Sequence, residues 1–377
     1  MKIIVTVLRW FVGLLFIFSG LVKANDPLGL SYKMLEFFEA WNWHWFDNYT
    51  LAASIILNIC EVLAGIAIIV GWQKKFFTWF LLLLALFFTF LTAEVLFSGK
   101  IKECGCFGDC IPLSGWNTFF KDVVLLLFIV IILLGIKHVK PLLTQVLSIF
   151  VLLITVVFTL GIQIYVLKSL PFVDCLPYKK GNNIIEEMKI PENAVADSIS
   201  IMFKYKKNGK IIEFNENNFP ADFDSTYEFV DRHDKLIREG NAHPAIADFS
   251  LYNLQGNDTT QNVLNQNAVW LMCKDFGTPL PEWLNEDFNK TVSICKQNNL
   301  PVYFITALPD KANELFSQKQ VTVLKCDATV IKTAARAQPT YFLLNKGTIV
   351  SKYSYANAAK FNKELKNFCE KNFQAVK

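Results

Sequence analysis

The stretch Phe76–Phe97 reads FFTWFLLLLALFFTFLTAEVLF and carries a single charge, Glu94. About 20 consecutive apolar residues are what an α-helix needs to cross a hydrocarbon core of about 30 Å. Four more such runs surround it, at Ile3–Val22, Leu51–Trp72, Phe119–Ile136 and Leu142–Leu167. The chain has 377 residues, 53% hydrophobic and 19% charged, with the charge concentrated after residue 170. The expected architecture is a membrane α-helical bundle of five spans followed by a soluble α/β domain.

Orientation follows from the lysines. Residues 73–75 and 137–140 are short cationic turns between spans, and the positive-inside rule puts Lys2, Lys74, Lys75, Lys137 and Lys140 in the cytoplasm. The longer connections Lys23–Thr50 and Ser98–Thr118, and everything beyond the fifth span, then face outward. Trp10, Trp72, Trp79 and Trp116 near span ends suit an interfacial belt. The expectation is a multi-pass protein of the bacterial inner membrane, with a cytoplasmic N-terminus and a periplasmic C-terminal domain. Residues 1–24 also have the make-up of a cleaved signal peptide, but a retained first span is preferred.

Arg9, Glu61 and Glu94 fall within spans. Facing lipid at mid-depth, each would cost about 2.5–3.5 kcal/mol on insertion scales, so each should face the bundle interior. A contact between Arg9 and Glu61 is expected, as a structural ion pair or a proton relay. Glu94 lies near the outer end of its span, beside the loop that follows.

That loop contains Cys104-Gly105-Cys106-Phe107-Gly108-Asp109-Cys110. Cys175 follows the fifth span and should hang at the same face. Three chemistries suit such a cluster: redox exchange, a structural cross-link and metal ligation. Four cysteines allow three pairings, and the sequence does not choose among them. A Cys104–Cys106 bridge would close a small, strained ring that is easily reduced, as catalytic disulfides are. No histidine lies nearby and the spacing is not that of zinc sites, so no metal is expected.

The residues Arg9–Phe16, Ser19-Gly20-Leu21-Val22-Lys23 and Glu61-Val62-Leu63-Ala64-Gly65 resemble DoxX-type membrane proteins. Cys104-Gly105-Cys106-Phe107-Gly108 resembles the motif of the MauE branch, redox-associated proteins named from methylamine utilisation. The likeness covers roughly residues 1–140 and implies disulfide or electron handling for exported proteins. A fifth span at 141–170 and a large outer domain depart from that family.

Residues 171–245 read as a linker and a small β-containing unit. Ser198–Tyr205 alternates as a strand does, Asn208-Gly209 is a hairpin turn, and Lys210–Phe214 is the return strand. Residues 222–239 read as a helix or an extended stretch. Residues 246–377 resemble thioredoxin-fold proteins of the TlpA and peroxiredoxin type. Buried strands at Ala268–Cys273 and Pro301–Thr306 alternate with helices at Pro281–Gln297 and Asp310–Ser317, and Pro339 stands where that fold has its cis-proline. The fold's Cys-x-x-Cys is missing from Lys274–Pro281, which leaves Cys273 as the candidate reactive thiol there. Cys60, Cys295, Cys326 and Cys369 are expected to be buried and inert.

A net charge of +4 without a basic stripe does not imply nucleic acid. The leading expectation is a membrane protein that exchanges disulfides through Cys104 and Cys106, with Cys110 or Cys175 as resolving thiol. Exported or envelope proteins are the expected clients. No bound cofactor is expected, and a membrane quinone is the candidate electron partner. The alternative is a non-catalytic, membrane-anchored scaffold with structural disulfides. A permease fits less well, since no internal repeat is apparent.

Overall fold

A computed structural model describes the chain except residues 99, 100, 102, 103, 106, 112–114, 197, 239, 241, 318 and 374–377, and except the side chains of 235, 236, 238 and 373. Cys106 therefore lies outside the described residues.

The N-terminal region contains α1 (Lys2–Asn25), α2 (Pro27–Ala40), α3 (Thr50–Val70), α4 (Lys74–Ser98), α5 (Gly115–Leu134) and α6 (Gln145–Ser169). All but α2 are long and apolar enough to cross a membrane, which makes this a multi-pass membrane region. The helix α2 was not expected, because Lys23–Thr50 read as a loop. Its start is written locally: the Asp26 carboxylate accepts the Gly29 amide at 3.1 Å, and Pro27 takes the first helical position.

Helices α1 and α3 pack closely because glycines face each other. A Cβ on Gly65 would sit 2.6 Å from the Gly13 carbonyl oxygen, closer than any real Cβ contact allows. Small residues at such crossings let helices meet where no hydrophobic effect drives them together. Arg9 reinforces the crossing at the opposite end from the thiol loop. Its Nε donates to the Ile68 carbonyl and its Nη1 to that of Lys140, both at 2.8 Å, and Nη2 donates to the carbonyl of Ile69. The expected Arg9–Glu61 contact is therefore corrected: Arg9 satisfies the unpaired carbonyls at the end of α3, and Glu61 takes Lys23 instead. Helix α6 joins the bundle through Asn58, whose Nδ2 donates to Gln163 Oε1 at 3.0 Å.

Beyond α6 come α7 (Ile184–Glu187), then β1 (Ser198–Lys207), β2 (Lys210–Asn215) and β3 (Glu228–Arg238), an antiparallel sheet in the order β2-β1-β3. Asn208 and Gly209 both adopt positive φ, as a tight hairpin requires. Residues 228–238 are thus extended. Tyr205, Phe214, Phe223 and Tyr227 cluster on one face.

The C-terminal α/β region runs α8 (Thr260–Leu264), β4 (Ala268–Cys273), α9 (Leu280–Trp283), α10 (Glu286–Gln297), β5 (Val302–Thr306), α11 (Pro309–Phe316), β6 (Thr322–Lys325), α12 (Ala328–Ala334), β7 (Thr340–Asn345), β8 (Thr348–Ser354) and α13 (Ala358–Phe373). Its sheet has the order β6-β5-β4-β7-β8. Strands β4, β5 and β6 are parallel, and β7 and β8 are antiparallel to their neighbours. Strand residues alternate between two cores: Leu271 and Phe304 face Trp283 and Phe316, while Trp270 and Phe342 face Phe249 and Ile331. The single helix expected over Pro281–Gln297 is two helices, because Asn285 breaks it and caps α10, accepting from the amides of Asp287 and Phe288 at 3.0 and 3.2 Å. The Gln338–Pro339 peptide is cis and immediately precedes β7.

Substituting Gly65→Val overpacks the α1–α3 crossing. An overpacked core loses about 1–3 kcal/mol. Thermal unfolding of the full chain in detergent should show a lower midpoint; an unchanged midpoint would contradict this account of the crossing.

Candidate functional site

The thiol loop, the segment after α6 and the C-terminal region meet at one place. Helix α1 ends there with Asn25 and Asp26. The Asn25 side chain pairs with the backbone of Val173, its Nδ2 donating to the carbonyl at 2.9 Å and its Oδ1 accepting the amide at 3.2 Å. Two residues on, Cys175 forms a disulfide with Cys110, which fixes one of the three pairings the sequence left open. Between them, Asp174 Oδ2 accepts from Lys352 Nζ of β8 at 2.6 Å.

Arg336 closes the arrangement. It lies between α12 and the cis-proline, with its side chain only 5% exposed. Its Nε donates to Asp26 Oδ2 at 2.7 Å and its Nη2 to Asp109 Oδ2 at 2.6 Å. Its Nη1 donates to the Lys332 carbonyl at 2.5 Å, so the guanidinium is anchored to its own helix as well. Charge-assisted bonds of this kind are the strong ones, and the planar fork of arginine suits two carboxylates at once. Burial alone would lower the Arg336 pKa, but the charges of Asp26 and Asp109 outweigh it and raise it. Burial pushes the Asp26 carboxyl up, against the opposing pull of Arg336. The Tyr32 ring of α2 lies against both Arg336 and Lys332, with centroids 5.5 and 5.4 Å from their cationic groups.

This junction places the end of β4 and the cis-proline loop beside the thiol loop. The Lys274 amide donates to Gln338 Oε1 at 2.5 Å, which ties those two segments together. Gly105, at positive φ, packs under Lys33 of α2. Cys104 is buried among Phe37, Phe88, Leu91 and Val95. Cys110 and Cys175 are half-buried.

The other cysteines differ in kind. Cys273 is fully buried and its Sγ donates to the Asp275 carbonyl at 2.8 Å. Burial, with the charge of Asp275, pushes its thiol up to about 12, so the thiol form prevails at neutral pH. Cys295, Cys326 and Cys369 are buried, and Cys60 is half-buried in α3. Among the described residues no group of His, Cys, Asp or Glu could hold a metal ion. Glu94 is half-buried near the end of α4 and makes no ion pair among the described residues.

Sequence reasoning missed Asp26, Asp109, Arg336 and Lys352, because each is an ordinary surface charge until the two regions come together. It also missed Lys23, Lys121 and Asp122, which sit inside the bundle. The last two fall within the Phe119–Ile136 run, and that placement was the available signal.

Two measurements test this geometry. Substituting Arg336→Ala leaves two carboxylates facing each other without a cation, and breaking a buried pair costs about 3–5 kcal/mol. Hydrogen exchange should then rise in α2 and at 107–110, whereas unchanged protection would contradict the clamp. Cys273 should resist alkylation in the folded protein at about pH 8.5, where an ordinary thiol is half ionised. Modification as fast as in the denatured chain would contradict its burial.

Comparison with known proteins covers two stretches of the chain. Residues 1–136 match the family model of methylamine utilisation protein MauE, and residues 199–239, the β1–β3 sheet, match a domain of unknown function, DUF8463. No curated protein and no solved structure matches the chain. It thus joins a membrane region similar to MauE to a C-terminal α/β region.

Proposed function

We propose that the chain is an inner-membrane protein that exchanges disulfides with exported proteins through its thiol loop, with a thioredoxin-like domain docked over that loop. The observation that carries this reading is the junction. The Cys110–Cys175 disulfide and the two carboxylates on Arg336 hold the thiol loop against the cis-proline end of the C-terminal region.

The thioredoxin-like assignment is supported by the sheet order, by parallel β4 and β5, and by the cis peptide before β7 beside the end of β4. The region that follows β4, at 274–279, lacks cysteine, so the domain positions a client or the loop and supplies no dithiol of its own. The orientation is supported by charge. Lys74, Lys75, Lys137 and Lys140 lie at one face, and the disulfide lies at the other, where an oxidising compartment would keep it.

With Cys110 and Cys175 joined to each other, Cys104 and Cys106 form the exchanging pair. One loop thiolate attacks a client disulfide to give a mixed disulfide; the other resolves it, leaving the client reduced and the loop oxidised, or the reverse. Two electrons and two protons then pass between the loop and a membrane quinone. A scaffold role is the second reading. The absence of cysteine at 274–279 and the bracing position of Cys110–Cys175 favour it.

Thiol trapping of the full chain in membranes, over a series of glutathione potentials, separates the two. The redox reading predicts that Cys104 passes between trapped and untrapped forms above about −300 mV, the level below which structural disulfides lie. A Cys104 state that stays constant throughout that range would overturn it in favour of the scaffold.

A further inference from the structure

Beneath the thiol loop, inside the bundle, lie four charged side chains that none of the junction contacts uses. Glu61 is wholly buried on α3. It is paired with Lys23 of α1, which is 1% exposed. Ser19 Oγ donates to the other Glu61 oxygen at 3.0 Å. On the facing helices, Lys121 Nζ lies 3.0 Å from Asp122 Oδ1, and Thr92 Oγ1 donates to Asp122 Oδ2 at 3.2 Å. Asp122 is itself 3% exposed.

Both pairs line one small cavity between α1, α3, α4 and α5, with room for about one water. The cavity is too small for a quinone ring but suited to a proton-carrying water. Its connection to the loop is direct: Lys121 Nζ sits 4.3 Å from the centroid of the Phe107 ring, and Phe107 belongs to the cysteine segment. That ring also packs on Phe18 of α1, with centroids 6.0 Å apart.

Holding the helices together does not account for four charges. The α1–α3 crossing already rests on its glycines and on Arg9. Ionisable groups inside membranes are costly and usually serve the passage of ions or protons. A buried ion pair is in itself weak evidence for stability.

We propose that Lys23, Glu61, Lys121 and Asp122 form a proton-transfer site that serves the loop thiols. The proposal rests on the redox reading above. Oxidising a loop dithiol forms one S–S bond and releases two electrons and two protons. A quinone that takes up both electrons and two protons becomes a quinol. Glu61 and Asp122 each hold one proton in transit, and the cavity water bridges the two pairs. Running the sequence backwards reduces the loop and balances in the same way. Phe107 covers the Lys121 side of the polar site, and Phe88, which lines the Cys104 pocket, covers the Lys23 side.

Infrared difference spectroscopy on the full chain in lipid nanodiscs tests this, with dithiothreitol to reduce the protein and oxidised glutathione to reoxidise it. Followed in time through the reoxidation, the S–H band should decay while a carboxyl C=O band rises and falls. The C=O band should be lost or halved in Glu61→Gln or Asp122→Asn. Lys121→Gln, at the rim of the site, keeps both carboxylates and should shift the band, so the assignment stands even if Glu61→Gln fails to fold. An S–H band with no carboxyl band, or with one that none of the variants changes, overturns the proton site alone. No S–H band at all overturns the redox reading and the proton site with it.

Discussion

The structure turns on one buried arginine. Arg336 donates to Asp26 at the end of α1 and to Asp109 in the thiol loop, while its third nitrogen holds the end of its own helix. Every other contact of the junction is arranged around it. Lys352 reaches Asp174, and the neighbouring Cys175 reaches Cys110. Three separate stretches of chain are thereby fixed to one face of the membrane region. A guanidinium suits this task because it stays charged when buried and offers donors in a fixed plane.

The consequence for chemistry is placement. A cysteine loop at the surface of a bundle is open to any passing thiol. Here it is held under a folded region whose cis-proline end faces it, and Cys104 is turned into an apolar pocket. In the proposed exchange, access to Cys104 is set by these charged contacts and by the apolar pocket around it. Below the loop, Lys121 lies over the Phe107 ring and Lys23 over the Phe88 ring of the Cys104 pocket, each within its own pair, Lys121–Asp122 and Lys23–Glu61. Asp109 thus meets the C-terminal α/β region on one side of the segment, and Phe107 meets the charged interior of the bundle on the other.

Much of this was legible in the sequence, for physical reasons that also explain the rest. The five spans are visible because about 20 apolar residues in a row admit few other structures. The order of β4, α10, β5 and α11 is visible because short, almost wholly apolar runs alternate with longer amphipathic stretches. Asn208-Gly209 announced its hairpin through backbone preference alone. What failed was pairing at a distance. Arg9 and Glu61 were expected to meet because both are intramembrane charges, yet α3 ends in carbonyls that need donors, and Lys23 reaches Glu61 from the last turn of α1. Asp26 and Arg336 are separated by most of the chain, and neither has a local pattern that reveals a partner. Helix α2 went unseen because its apolar face is short, although Asp26 and Pro27 mark its start.

The most direct test of the account is a mass-spectrometric map of disulfides in protein alkylated within intact membranes. The account predicts a Cys110–Cys175 peptide in nearly every molecule, with Cys104 divided between an alkylated population and one linked to Cys106. A Cys110 bonded to any other cysteine, or a Cys104 found in one state only, would contradict it.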